Sequence, residues 1–224
     1  MEPDELIFAF TTGNRGPGRT PLDWTTRLKI ASGAAQGVAF IHNHNNNNLI
    51  HGNIKSTNVL IGVSGNAHVA DFGLSIFTTP SNRKSNGYRA PESSDGRKQS
   101  QKSDVYAFGV LLMEILTGKC PSAVDGGTVV ELPKWVQSVV KEEWTAEVFD
   151  LELMRYKDAE EDMVTLLQIA LTCTSIVPDQ RPKMSHVVKR IEELRDVASC
   201  HDTLDSAYDS PLSEDATGGG GTIH

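Results

Sequence analysis

The chain has 224 residues, of which 38% are apolar and 22% charged, with a formal net charge of −8. This is the size and composition of one soluble globular domain with a buried core, not of two large domains. Six acidic residues and no Lys or Arg fall between Asp196 and His224, so the remainder is nearly neutral and offers no broad basic surface for a nucleic acid.

Cys120, Cys173 and Cys200 lie far apart. Their spacing suits neither a disulfide framework nor a zinc site and fits a reducing compartment. No leader-like stretch opens the chain. The longest apolar run, Val105 to Leu116, is broken by Glu114 and is shorter than the ~18 residues of a membrane span. It reads as a buried core helix, and the expected location is cytoplasmic.

Residues 1–20 carry Gly13, Gly16, Pro17 and Gly18 and read as partly irregular. Asp23 can cap a helix starting at Trp24, with Trp24, Leu28, Ala31, Ala35 and Val38 on one face and an end near His42. Asn43 to Asn48 is almost all Asn and reads as an exposed loop. Short strand-like pieces follow at Leu49-Ile50, Val59–Ile61 and His68–Ala70, with turn residues Gly62, Ser64, Gly65 and Asn66 predicting a small hairpin between the last two.

A loop-rich segment runs from Asp71 to about Lys102. Ser103 or Asp104 then caps a helix through Leu116, stopped by Gly118. Pro133 opens another helix, with Leu132, Trp135, Val136 and Val139 on one face. Met163, Leu166, Leu167 and Ala170 mark a further helix, and Val187, Val188, Ile191 and Leu194 the last. Residues 196–224 are acidic, Ser-rich and end near four glycines, so they are expected to form a disordered tail.

Four segments carry the chemistry: His51-Gly52-Asn53-Ile54-Lys55-Ser56-Thr57-Asn58, Asp71-Phe72-Gly73, Ala90-Pro91-Glu92 and Asp104-Val105-Tyr106-Ala107-Phe108-Gly109. In this order and spacing the chain resembles the protein kinase family, with its H-R-D-x-K-x-x-N, D-F-G and A-P-E motifs. Arg181-Pro182 matches the family's late arginine. Asp23-Trp24 with Arg27, His51-Gly52-Asn53, Gly87 to Glu92 and Lys102 to Tyr106 narrow the likeness to plant leucine-rich-repeat receptor-like kinases, in an atypical H-G-N branch regarded as pseudokinase-like.

The resemblance implies a mainly α fold, the C-terminal lobe of a kinase over residues 21–195 with a small β-hairpin region. Residues 1–20 become the remnant of the inter-lobe connection. No G-x-G-x-x-G loop or V-A-I-K strand is found in the 224 residues, so the small lobe is expected to be absent. By resemblance Asp71 and Asn58 are ligands of Mg²⁺ on ATP, or relics that now only hold loops. Lys55 steadies the transferring phosphate.

Asn53 stands at the position of the base aspartate. Its amide carries no charge and takes up no proton near neutral pH. Gly52 replaces the arginine that in many relatives binds an activation-loop phosphate. His51, Phe72, Glu92, Asp104 and Arg181 take structural roles: His51 packs on Phe72, Asp104 accepts catalytic-loop N–H groups, and Glu92 pairs with Arg181. Ser75, Thr78, Thr79, Ser81 and Ser85 are candidate phosphosites in the activation segment.

The expected function is that of a catalytically impaired pseudokinase lobe of a receptor-like signalling protein, binding other signalling proteins or kinases. It would sit at the cytoplasmic face of the plasma membrane if it belongs to a parent receptor. The alternatives are part of an active ATP-dependent Ser/Thr kinase, or a truncated fragment without function.

Overall fold

The computed structural model describes residues 21–44, 48–62, 65–74, 87–93, 99–125, 128–142 and 145–208. Among them, helices dominate. The candidate phosphosites Ser75, Thr78, Thr79, Ser81 and Ser85 lie outside the described residues, as do residues 1–20.

Helix α1 spans Trp24–Asn43, and Asp23 caps it by accepting the Thr26 N–H at 2.7 Å. Strands β1 (Val59–Ile61) and β2 (Ala67–Val69) form an antiparallel pair in the register Val59↔Val69. This hairpin lies across α1. Gly33 makes the approach possible: a Cβ there would sit 2.5 Å from the Ala67 carbonyl oxygen. Leu49-Ile50 forms no strand, and among the described residues this sheet consists of β1 and β2 alone. The Leu49 carbonyl is instead held by a side chain, Gln101.

Helix α2 runs from Gln101 to Thr117. Its cap is Ser100, three residues earlier than Ser103 and four earlier than Asp104. Ser100 and Ser103 form a reciprocal capping box, each side chain accepting the other's backbone N–H. The two hydroxyls outcompete Asp104 because Asp104 is engaged elsewhere, as described below. Every residue from Ser103 to Thr117 is buried. A helix enclosed on all sides is the axis of a core rather than a surface element, and α2 packs on both α1 and α4, Glu160–Cys173.

The sequence reading did not anticipate a second hairpin, β3 (Ser122–Asp125) with β4 (Thr128–Glu131). It leads into α3, Leu132–Lys141, with Pro133 in its first turn. The last helix, α5, spans Met184–Tyr208 and packs along α1. Residues 196–208, expected to begin a disordered tail, lie within this helix. Leu194, Val197, Leu204 and Tyr208 keep helical spacing there, and no Gly or Pro interrupts before Pro211.

One buried cation ties these elements together. The Arg27 guanidinium, 1% exposed, donates to Asp150 at 3.0 Å, Glu152 at 2.9 Å and the Ile115 carbonyl at 2.7 Å. A charge can be buried at this depth only when paired and fully hydrogen-bonded. Arg27 thereby fixes α1 against the end of α2 and the segment that follows α3.

Candidate functional site

The first turn of α2 organises the catalytic-loop segment. Asp104 is 2% exposed, and its carboxylate accepts the His51 N–H at 2.7 Å and the Gly52 N–H at 2.9 Å. The His42 Nε2 lies 3.0 Å from the same carboxylate. Gly52 has φ of 76°, a region that side-chain-bearing residues rarely adopt.

Asn53 follows directly. Its N–H donates to His51 Nδ1 at 3.3 Å, and its carbonyl accepts Nδ2 of the buried Asn58 at 2.9 Å. Burial lowers the His51 pKa, against the opposing charges of Asp104 and Asp71. The neutral ring is what allows Nδ1 to accept. The His51 ring meets Phe72 edge-on at 6.3 Å.

Asn58 sits at the end of a short 3-10 turn, Ser56–Asn58. Its N–H donates to the Lys55 carbonyl at 3.0 Å, and its own carbonyl accepts the Ala70 N–H at 2.8 Å. The hairpin thus delivers Ala70 and the adjoining Asp71 to the catalytic loop. Asp71 has φ of 64° and an exposed side chain. Positive φ in a non-glycine residue marks a backbone over-determined by its surroundings, as at many functional sites.

With Nδ2 used, Asn58 keeps its Oδ1, and Asp71 supplies carboxylate oxygens. These hard donors fit Mg²⁺ and its phosphate partner. The half-buried Lys55 lies three residues from Asn58.

A second buried pair closes the far side. Arg181, 1% exposed, clasps Glu92 with two nitrogens at 2.6 and 2.8 Å. It also donates to the carbonyls of Ser175 and Lys102, each at 2.8 Å. Its guanidinium stands 5.0 Å over the Tyr106 ring. Burial works to raise the Glu92 carboxyl, but the hydrogen bonds and charge of Arg181 outweigh it and hold the carboxyl below its ordinary range.

The sequence pattern of protein tyrosine and serine/threonine kinases matches residues 12–191. The chain belongs to the protein kinase family. Over 97% of its length this kinase chain is 65% identical to a probable leucine-rich repeat receptor-like protein kinase of Arabidopsis thaliana, of which it covers 34%. It is 55% identical over 187 residues to a probable inactive receptor kinase of the same plant, covering 81% of this chain and 29% of that protein.

Among solved structures it resembles the pseudokinase domain of BIR2, an immune regulator of the RLK/Pelle family. The TM-score is 0.68 at 32% identity, over 88% of this chain and 57% of that one. The maize sucrose-induced receptor kinase 1 domain bound to AMP-PNP gives a TM-score of 0.71 at 32% identity, over 85% of this chain and 66% of that one. The chain spans about a third of the length of the curated relatives it matches.

Two parts of this kinase site escaped the sequence reading. Glu114, which there only interrupted an apolar run, is buried. It accepts the Ser56 hydroxyl at 3.0 Å and the Tyr88 hydroxyl, whose oxygen in turn accepts the Ser56 N–H at 3.2 Å. Burial and the Glu114 charge push the Tyr88 phenol well above its ordinary range, so it remains a donor. The available signal was a carboxylate inside a helix otherwise buried all round. The second part is a pair of glutamines, Gln99 and Gln101, whose amides reach catalytic-loop carbonyls. Nothing in their sequence context distinguishes them from surface glutamines.

Proposed function

We propose that this kinase chain is the catalytically impaired, pseudokinase-type lobe of a receptor-like signalling protein, acting by binding other signalling proteins or kinases. The observation that carries this reading is Asn53. It occupies the base position, its backbone is committed to His51 and Asn58, and its side-chain amide can orient a hydroxyl but not take its proton. The similarity to relatives named inactive and to a pseudokinase domain supports it.

Asp71 and Asn58 would hold Mg²⁺ if nucleotide binding is retained, with Lys55 toward the phosphates; the ion would supply charge neutralisation of ATP. The chain's own groups would do the orienting: Asn58 is anchored by Asn53 and Ala70, and Asp71 by its turn. Such partners would dock beside this floor. A groove of about 750 Å³ is lined in part by Phe40, Val69 and Phe72, and Phe40 and Phe72 are 69% and 47% exposed. Large apolar groups exposed together mark binding surfaces. A parent receptor would place this surface at the cytoplasmic face of the plasma membrane.

The test is incubation of the purified chain with ATP, Mg²⁺ and a generic protein substrate. No phosphorylation is expected, and thermal shift with and without Mg²⁺–ATP reports whether nucleotide binds. Turnover that disappears in Asp71→Ala would overturn the reading.

The retained Lys55, Asn58 and Asp71, with a relative at 65% identity named as a protein kinase, favour a second reading: part of an active Ser/Thr kinase. In that case Asn53→Asp in the full-length receptor raises the rate by ~10²–10⁴, the value of general-base help.

A further inference from the structure

Five backbone groups of the 42–52 stretch are held by side chains from residues 99–104. Gln99 Nε2 donates to the Gly52 carbonyl at 2.7 Å. Gln101 Nε2 donates to both the His42 carbonyl at 3.0 Å and the Leu49 carbonyl at 3.1 Å. Asp104 accepts from His51 and Gly52. Gly52 is therefore gripped on both sides of its peptide geometry, donor and acceptor, at a φ of 76°.

The partners of both glutamines are carbonyl oxygens, so each amide must present its NH₂. The grip is itself rigid. Residues 99–101 flank the Ser100–Ser103 capping box, and α2 below them is the buried axis of the core. Both glutamines are half-buried, where a hydrogen bond competes less with water than it would on open surface.

We propose that Gln99 and Gln101 are positioning residues that, with Asp104, set the shape of the catalytic loop from α2. The relay is short. Gly52 is fixed by Gln99; the next residue, Asn53, offers its carbonyl to Asn58 Nδ2, which turns Oδ1 of Asn58 toward any cation. Position 52 needs no charged side chain for this. The loop keeps its shape from the α2 side, in place of the cation-to-phosphate link that an arginine at 52 provides in relatives. The inference holds whether or not the chain transfers phosphate.

Hydrogen exchange of the full chain, read on peptides covering 49–58, tests it with Gln99→Glu and Gln101→Glu. Glutamate fills the same volume but has no donor, so the hydrogen bond is lost and a carboxylate is set against the carbonyl oxygen in its place. Exchange in 49–58 is expected to rise about tenfold in Gln99→Glu, the worth of one hydrogen bond, and by at least as much in Gln101→Glu, which gives up two. Peptides from α4 that exchange by local opening should stay unchanged, while the urea midpoint falls by the worth of the lost bond. Gln99→Lys, which restores a donor, should return the protection. Unchanged exchange in 49–58 for Gln99→Glu would overturn the proposal, and so would an equal rise in every peptide.

Discussion

Removing either partner of the Glu92–Arg181 pair has unequal consequences, and the structure says which is larger. The Arg181 side chain is 0% exposed and that of Glu92 is 21% exposed. In Arg181→Met, the Ser175 and Lys102 carbonyls lose their charged donor while Glu92 retains a route to water. In Glu92→Gln, the guanidinium keeps those carbonyls and one amide oxygen. Breaking a buried pair costs ~3–5 kcal/mol. Three sets of bonds vanish with Arg181, so Arg181→Met should cost about 4 kcal/mol, and Glu92→Gln about 2 kcal/mol because one acceptor remains.

The double variant should be less destabilised than the two singles added, with a coupling of about 1–2 kcal/mol. Urea unfolding followed by tryptophan fluorescence measures all three. The Glu92 contribution also has a pH signature. Its carboxyl is held below its ordinary range, so the stability it brings is present above about pH 4.3 and is lost as pH falls through the folded value. The gap between wild type and Glu92→Gln should therefore close in acid. An Arg181→Met cost below about 1 kcal/mol, or additivity of the two singles within about 0.5 kcal/mol, would refute the reasoning.

Other outcomes follow from the same contacts. Tyr88→Phe removes the donor to the Glu114 carboxylate and should cost about 1.5–3 kcal/mol in urea unfolding, since the partner is a buried carboxylate. His51 has a depressed pKa, so the folded state binds fewer protons than the unfolded one below about pH 6.5. Stability should fall with pH from that point, and His51→Asn should flatten the fall. Asp23→Ala removes the α1 cap at a cost of about 1 kcal/mol, read as a melting-point drop of about 2–4 °C.

The helices were legible because their signals are local. Asp23, Gly118 and Pro133 mark ends, and the apolar stripes of α1, α3, α4 and α5 have the right period. The start of α2 was misplaced because Ser100, Ser103 and Asp104 are all good caps, and only the tertiary demand on Asp104 decides among them. The β3–β4 hairpin was missed although Gly126 and Gly127 fall between the paired Asp125 and Thr128, a spacing that itself signals a two-residue turn. The site motifs were readable as ordered segments. The partners of Glu114, Gln99 and Gln101 were not, because those contacts join residues 26 to 59 positions apart and no period links them.

The bridge from Gln101 has a further meaning for the asparagine-rich stretch it spans. One amide nitrogen grips the chain at His42, before the stretch, and again at Leu49, after it. The stretch is therefore stapled to α2 at both ends. Its length is then decoupled from the geometry of the site: doubling it adds only about 0.6 kcal/mol of closure entropy. An epitope or reporter sequence inserted among these asparagines should be carried without shifting His51, Asn53 or Asn58, which makes the stretch a natural place to append a tag or let length vary.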